Sequence, residues 1–142
     1  MKDERDFRVC EDVEKISSNG TPLAYIIRRE FEPSETTFLT PPEFQQQVGY
    51  IVYPAESEIQ RHLHRPLERR IVGTSEVIIM RRGSCHLDVY NNERELVASR
   101  KLRRGDIVLL VGGGHGFRLQ ENTVLLEVKQ GPYTGIDEKE RF

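Results

Sequence analysis

The sequence has no tryptophan, only two cysteines and no long apolar run. Without about 18 consecutive apolar residues, no segment is predicted to cross a membrane. Cys10 and Cys85 share no motif, so they do not predict a disulfide framework. The N-terminal residues MKDERDFRVCEDVEK lack the apolar stretch that a cleaved signal requires. We therefore expect a cytoplasmic protein.

A strong net charge is also lacking, because 21 Lys and Arg side chains oppose 23 Asp and Glu side chains. This balance argues against a nucleic-acid partner. The charges are nevertheless distributed unevenly, since residues 61–104 contain eleven Lys and Arg against five Asp and Glu. A basic central stretch in an acidic chain favours a small anionic molecule as the ligand.

The length of 142 residues and the 37% hydrophobic content predict one soluble domain. Short β-rich stretches follow one another from residue 22, separated by Gly, Asn-Asn or charged turns, which is typical of an all-β sandwich or barrel. We expect an N-terminal arm over 1–21, a β-barrel over 22–131 and a C-terminal tail over 132–142. The predicted strands cover 22–31, 45–54, 57–64, 75–82, 84–90, 95–102, 106–111, 116–120 and 123–130.

Two of the four histidines form the tripeptide His62-Leu63-His64. On a strand, residues i and i+2 point to the same face, about 6.5–7 Å apart along the chain. Two imidazoles side by side are suitable ligands for a transition metal. Taken alone, however, the pattern is more typical of a surface strand that alternates polar residues.

Two further residues complete a candidate ligand set. Glu76 begins the apolar strand EVIIMRR, where a buried carboxylate requires a partner. His115 lies among glycines, which allow the backbone to bend and turn the imidazole inward. Three histidines and one glutamate suit a divalent transition metal such as Fe, Mn, Ni, Zn or Cu.

The segments HLH, EVIIMRRG and GDIVLLVGGGHGF together resemble the two motifs of the cupin superfamily. The combination of GGHGF with KQGPY resembles a branch of small single-domain cupins. This resemblance implies a double-stranded β-helix, or jelly-roll barrel, that commonly forms a homodimer. It also implies that the first motif contributes His62, His64 and Glu76 as metal ligands and that the second contributes His115. Gly83 fits the glycine that follows the glutamate.

The carboxylate ligand has an alternative in Glu68, which stands at the usual cupin spacing after His64. We prefer Glu76, because it begins an apolar strand and has Gly83 correctly placed behind it. The second motif also departs from the family pattern, since Val111 stands near the usual proline. These departures concern the geometry of the site more than the fold.

Other residues are secondary candidates. His86 alternates with Asp88 and Tyr90 on one strand face, which makes His86 and Tyr90 candidate catalytic groups. Glu68 is a third candidate. Cys85 is interpreted as a small packed residue, because no nucleophile motif surrounds it. The arginines that could line a pocket mouth are Arg61, Arg70, Arg82 and Arg118.

Three functions are compatible with this reading. The favoured one is an enzyme of oxygenase, isomerase or lyase type, in which the bound metal acts on a small anionic metabolite. The first alternative is a metal-independent isomerase or epimerase that resembles the nucleotide-sugar cupins and uses histidines as acid–base groups. The second is a barrel that binds a small ligand without catalysis. In each case we expect a homodimer with paired sheet edges and no membrane partner.

Overall fold

The computed structural model describes residues 12–135 and 138–142. The chain divides into two compact units. The first, which we call the sandwich unit, combines the residues up to Phe31 with those from Thr74 onward. The second, which we call the insert, comprises Glu32–Gly73. The predicted ligands are divided between the two units, with His62 and His64 in the insert.

Ten strands make up the regular structure of the described residues, and their pairings are antiparallel. In chain order they are β1 (Val13–Ser18), β2 (Thr21–Ile27), β3 (Thr37–Phe38), β4 (Gly49–Tyr50), β5 (Glu76–Arg82), β6 (Ser84–Tyr90), β7 (Leu96–Arg103), β8 (Ile107–Leu110), β9 (Gly114–Leu119) and β10 (Val124–Lys129). The predicted all-β class is therefore confirmed. Over the described ranges these strands form three separate sheets and no closed barrel.

The sandwich unit contains two of these sheets. Five strands follow the order β1-β2-β8-β5-β10, and three strands follow the order β7-β6-β9. β3 and β4 pair with each other inside the insert. Across residues 12–135 and 138–142, no helix is long and apolar enough to cross a membrane.

The core lies between the two sheets because each sheet turns its apolar face inward. Ile78 and Met80 alternate along β5, and Cys85, Leu87 and Val89 alternate along β6, with each of these residues buried. The Cys85 Sγ and Met80 Sδ atoms lie 3.8 Å apart. Each large apolar side chain contributes about 1.5–3 kcal/mol when it leaves water. Burial also raises the pKa of the Cys85 thiol, which makes it a poor nucleophile.

The sequence predicts most strands of the sandwich unit to within a few residues. The predicted strand 84–90 coincides with β6, and the predicted strand 75–82 exceeds β5 by one residue. The sequence does not predict β1, because Val13–Ser18 falls within the charged N-terminal arm. Val13 and Ile16 are its buried residues. With only two apolar anchors, the strand gives a weak periodic signal and depends on its pairing with β2.

The prediction of a strand over 57–64 is wrong. Of the strand predicted over 45–54, only Gly49–Tyr50 forms. We call residues 51–73 the histidine segment. None of it is a strand, and every residue from 53 to 73 is exposed. Polar and apolar residues do alternate in this segment, and this pattern is the basis of the strand prediction. A strand also requires a ladder partner for its backbone groups, and the described residues provide none for this segment.

Candidate functional site

The central contact of the sandwich unit joins His115 to Glu76. His115 Nε2 lies 3.4 Å from Glu76 Oε2. Glu76 is the first residue of β5 and is buried, whereas His115 is the second residue of β9 and keeps a partly exposed imidazole. Because β5 and β9 belong to opposite sheets, the contact spans the interior of the sandwich unit. The structure thus brings together two of the four predicted ligands.

A backbone turn at Gly113 positions His115 for this contact. Gly113 has a φ of +63°, and a Cβ atom at this residue would lie 2.1 Å from the carbonyl oxygen of Tyr90. Only glycine tolerates both this backbone conformation and this close approach. β9 then starts beside β6, with His115 paired to the buried Val89. This register places the imidazole on the inner side of the sheet.

The environment of Glu76 keeps its carboxylate charged. Hydrogen bonding to His115 lowers the Glu76 pKa most, burial opposes this effect, and the charges of His115 and Lys129 and a hydrogen bond with Glu127 lower it further. A carboxylate that stays ionised can accept a proton or coordinate a cation. The site therefore holds its acidic group in the form that either chemistry requires.

Sequence reasoning missed two neighbours of this pair, Glu127 and Lys129 on β10. Lys129 is paired directly with Glu76 across the two strands, and its Nζ lies 3.8 Å from Glu127 Oε2. A sequence pattern could have identified them: Leu125, Glu127 and Lys129 occupy alternate positions on β10, so their side chains share one face of the strand. Since Leu125 packs against the core, the two charged residues also lie on the inner face.

The other predicted ligands lie in the insert. The rings of His62 and His64 are 5.2 Å apart with an interplanar angle of 72°, and both residues are exposed. His62 Nδ1 lies 2.9 Å from the carbonyl oxygen of Gln60. A carbonyl can only accept, so this contact favours the tautomer in which Nε2 carries the lone pair. A backbone carbonyl on the second nitrogen is typical of metal-binding histidines.

The four predicted ligands therefore form two pairs. His62 lies with His64 in the insert, and Glu76 lies with His115 in the sandwich unit. Within the described part of the chain, no group of three or more His, Cys, Asp or Glu side chains is arranged to hold a metal ion. Glu68, the alternative carboxylate, is an exposed residue of the histidine segment.

The catalytic candidates on β6 lie on the other face of the three-stranded sheet. His86 is paired with Arg118, and Tyr90 with Gly114. Both candidates alternate with the buried Leu87 and Val89, so they point away from the core and from the inner side that carries His115. Tyr90 instead makes an edge-to-face contact with Phe142 at 5.1 Å between ring centroids.

Arg118 forms an ion pair on the same outer face. Its Nε and Nη2 atoms lie 2.7 and 2.9 Å from the carboxylate oxygens of Asp88. Hydrogen bonds from Arg118 and Ser99 lower the Asp88 pKa to about 2. The other arginines considered as pocket residues, Arg61, Arg70 and Arg82, are exposed.

Comparison with family models, with curated proteins and with solved structures finds no match for this chain.

Proposed function

We propose that this protein is a metal-binding protein of cupin type, and that it acts as an enzyme on a small anionic metabolite. The proposed ligands of a divalent transition metal are His62, His64, Glu76 and His115. One observation carries the proposal: an ionised, buried carboxylate and an imidazole meet 3.4 Å apart between two sheets. The proposed complete fold is the double-stranded β-helix that the motif resemblance implies.

The residues present fit such a metal by their donor chemistry. Imidazole nitrogens and a carboxylate oxygen are the ligands that Fe, Mn, Ni and Zn accept in open catalytic sites. The favoured tautomer of His62 presents Nε2, and the neighbours of Glu76 keep its carboxylate ionised. A bound metal would supply a Lewis acid to polarise a substrate oxygen.

Lys129 supports an anionic substrate. It places an ammonium group beside Glu76 and Glu127 on the inner face of β10. An ammonium group in this position can orient a carboxylate or phosphate next to His115 by charge attraction. The excess of basic residues over 61–104 acts in the same direction.

The contact between His115 and Glu76 also supports the metal-independent alternative. An imidazole that contacts a buried carboxylate is also the arrangement of an acid–base pair, in which the carboxylate orients the ring and stabilises its protonated form. In that case Glu76 would position His115, and His115 would transfer a proton to or from a bound sugar nucleotide. Metal dependence separates this function from the metal enzyme.

The test is the metal content of untagged protein purified without chelators. We expect about one transition-metal ion per chain, because the four proposed ligands form a single site. Glu76→Gln should lower the metal content strongly, whereas the matched change Glu68→Gln should leave it unchanged. Protein that contains no metal and takes up none of Fe, Mn, Ni or Zn would overturn the metal proposal. The reverse ranking of the two glutamates would identify Glu68 as the ligand.

A further inference from the structure

Two edge strands border the side of the sandwich unit where Glu76 and His115 meet. β9 and β10 are the last strands at one edge of their respective sheets. At the other edge, Arg100 on β7 joins the sheets through an ion pair with Glu14 on β1, with 2.6 Å between Arg100 Nε and Glu14 Oε1. β9 and β10 therefore lie on the same side of the unit, and the Glu76–His115 contact lies next to both strands.

The inner side of β9 becomes apolar beyond His115. Phe117 and Leu119 alternate with His115, and all three pair with buried residues of β6, which places them on the inner side. The His115 and Phe117 rings lie edge to face with their centroids 5.9 Å apart. Leu125, on the inner face of β10, packs against the same core as Phe117. We call Phe117, Leu119 and Leu125 the apolar strip.

The apolar strip is accessible to a ligand. Leu119 is 59% exposed, and Phe117 and Leu125 are only partly buried. Small-molecule sites are lined mainly by apolar and aromatic side chains, with a few polar groups that fix the orientation of the ligand. Here His115 and Lys129 provide polar groups at one end of the strip. A matching ligand therefore has one polar end and an apolar body.

The charges at the polar end match a single negative charge. The carboxylates of Glu76 and Glu127 contribute two negative charges, and the ammonium of Lys129, 3.8 Å from Glu127 Oε2, contributes one positive charge. The proposed divalent metal adds two positive charges, which leaves one positive charge uncompensated. A monoanion neutralises this charge, whereas a phosphate dianion or a diphosphate exceeds it.

We infer that the substrate is a monocarboxylic acid with an apolar chain or ring. Its carboxylate binds beside Lys129, and its body lies along the apolar strip. A sugar would instead place hydroxyl groups against apolar side chains without hydrogen-bond partners, which opposes binding. This inference rests on the proposed metal site, because the bound ion supplies two of the positive charges.

Calorimetric titration of Zn²⁺-loaded protein with butyrate, hexanoate and octanoate tests the substrate class. His115 and Leu119 are separated by about 13 Å along β9, so the strip has room for the extended chain of octanoate. We expect the affinity to rise about fourfold for each added methylene group. An affinity that is independent of chain length, or tighter binding of glucose 6-phosphate or UDP-glucose, overturns the inference.

Two leucines of the three-stranded sheet test the position of the chain. Leu119→Gln should weaken octanoate binding by about tenfold and reduce its dependence on chain length. The matched control is Leu96→Gln on β7, at the opposite edge of the same sheet, where Leu96 is 58% exposed. This control should leave octanoate binding unchanged. Equal losses in the two variants would refute binding along the apolar strip.

Two lysines test the position of the carboxylate. Lys129→Gln should weaken octanoate binding by about tenfold but preserve the dependence on chain length, because only the charged end loses a contact. The matched control is Lys101→Gln, since Lys101 is exposed on β7 and paired with the outward-facing His86. An unchanged octanoate affinity in Lys129→Gln contradicts the inferred orientation.

Zn²⁺ uptake is measured separately, so that the metal site and the substrate class are decided independently. Protein that binds Zn²⁺ but no octanoate overturns the substrate class and leaves the metal site intact. Protein that takes up no Zn²⁺ removes the metal proposal. In that protein, a dependence on chain length that Leu119→Gln reduces still supports the apolar acid, and the lack of this dependence overturns it.

Discussion

Asp106 accepts a hydrogen bond from Arg28 Nη1 at 3.0 Å although the Asp106 side chain is completely buried. The same carboxylate accepts the backbone N–H groups of Arg29 and Arg103 at 3.0 and 2.9 Å. Asp106 therefore links the end of β2 to the turn between β7 and β8. A buried charge is retained at low cost only when its oxygens are satisfied in this way.

We expect Asp106→Ala to destabilise the fold by about 3–5 kcal/mol, because it leaves two backbone donors and a guanidinium without their common acceptor. Urea denaturation followed by circular dichroism measures the change. The matched control is Glu30→Ala, since Glu30 pairs with Arg29 and Arg103 on the surface and is half exposed. That change should cost less than about 1 kcal/mol. Equal losses would show that burial of Asp106 is unimportant.

Gly113 should tolerate no side chain. In Gly113→Ala the new Cβ would lie 2.1 Å from the Tyr90 carbonyl oxygen, at a φ of +63°. We expect a loss of about 2 kcal/mol or more in the free energy of unfolding, together with displacement of His115 from Glu76. Gly116→Ala is the control, because no atom lies within 4 Å of its Cβ position. It should change stability by about 0.5 kcal/mol or less, and a comparable loss in both variants would contradict the steric explanation.

An element is predicted well from the sequence when the pattern that specifies it lies within the element itself. The sequence predicts both ends of β6 correctly, because Cys85, Leu87 and Val89 alternate in one strand and all face the same core. The Glu76–His115 pair could likewise be predicted, since an acidic residue opening an apolar strand and a histidine among glycines are local signals.

The histidine segment shows the limit of the same reasoning. Its alternating pattern is a property of the sequence, but a strand also depends on a partner, which the pattern does not specify. Glu127 and Lys129 show a second limit. Their charges are visible in the sequence, but only the register of β10 against β5 places them beside Glu76.

Stability at acid pH should depend on Asp88. Its pKa of about 2 in the folded chain lies below the ordinary value of 3.8, because Arg118 and Ser99 hydrogen-bond to the ionised form. The ionised carboxylate therefore stabilises the fold fully above its ordinary pKa of 3.8, and this contribution is lost as the pH falls towards 2. We expect Asp88→Asn to be less stable than wild type at about pH 5, with the difference shrinking as the pH falls and vanishing only below about pH 2. Urea denaturation at a series of pH values measures it, and a difference independent of pH would contradict the ion-pair explanation.

His115 and His86 provide a matched pair for the site itself. They lie on neighbouring strands of one sheet, but His115 contacts Glu76 on the inner side whereas His86 points outward beside Arg118. In titrations with Zn²⁺ we expect His115→Ala to weaken binding by about 100-fold or more, since it removes a ligand that contributes several kcal/mol. His86→Ala should change binding by less than about twofold, because its imidazole faces away from Glu76. Thermal denaturation of the metal-free proteins separates a lost ligand from a lost fold. An equal loss of Zn²⁺ affinity in the two variants would contradict a metal site on the inner face of the sheet.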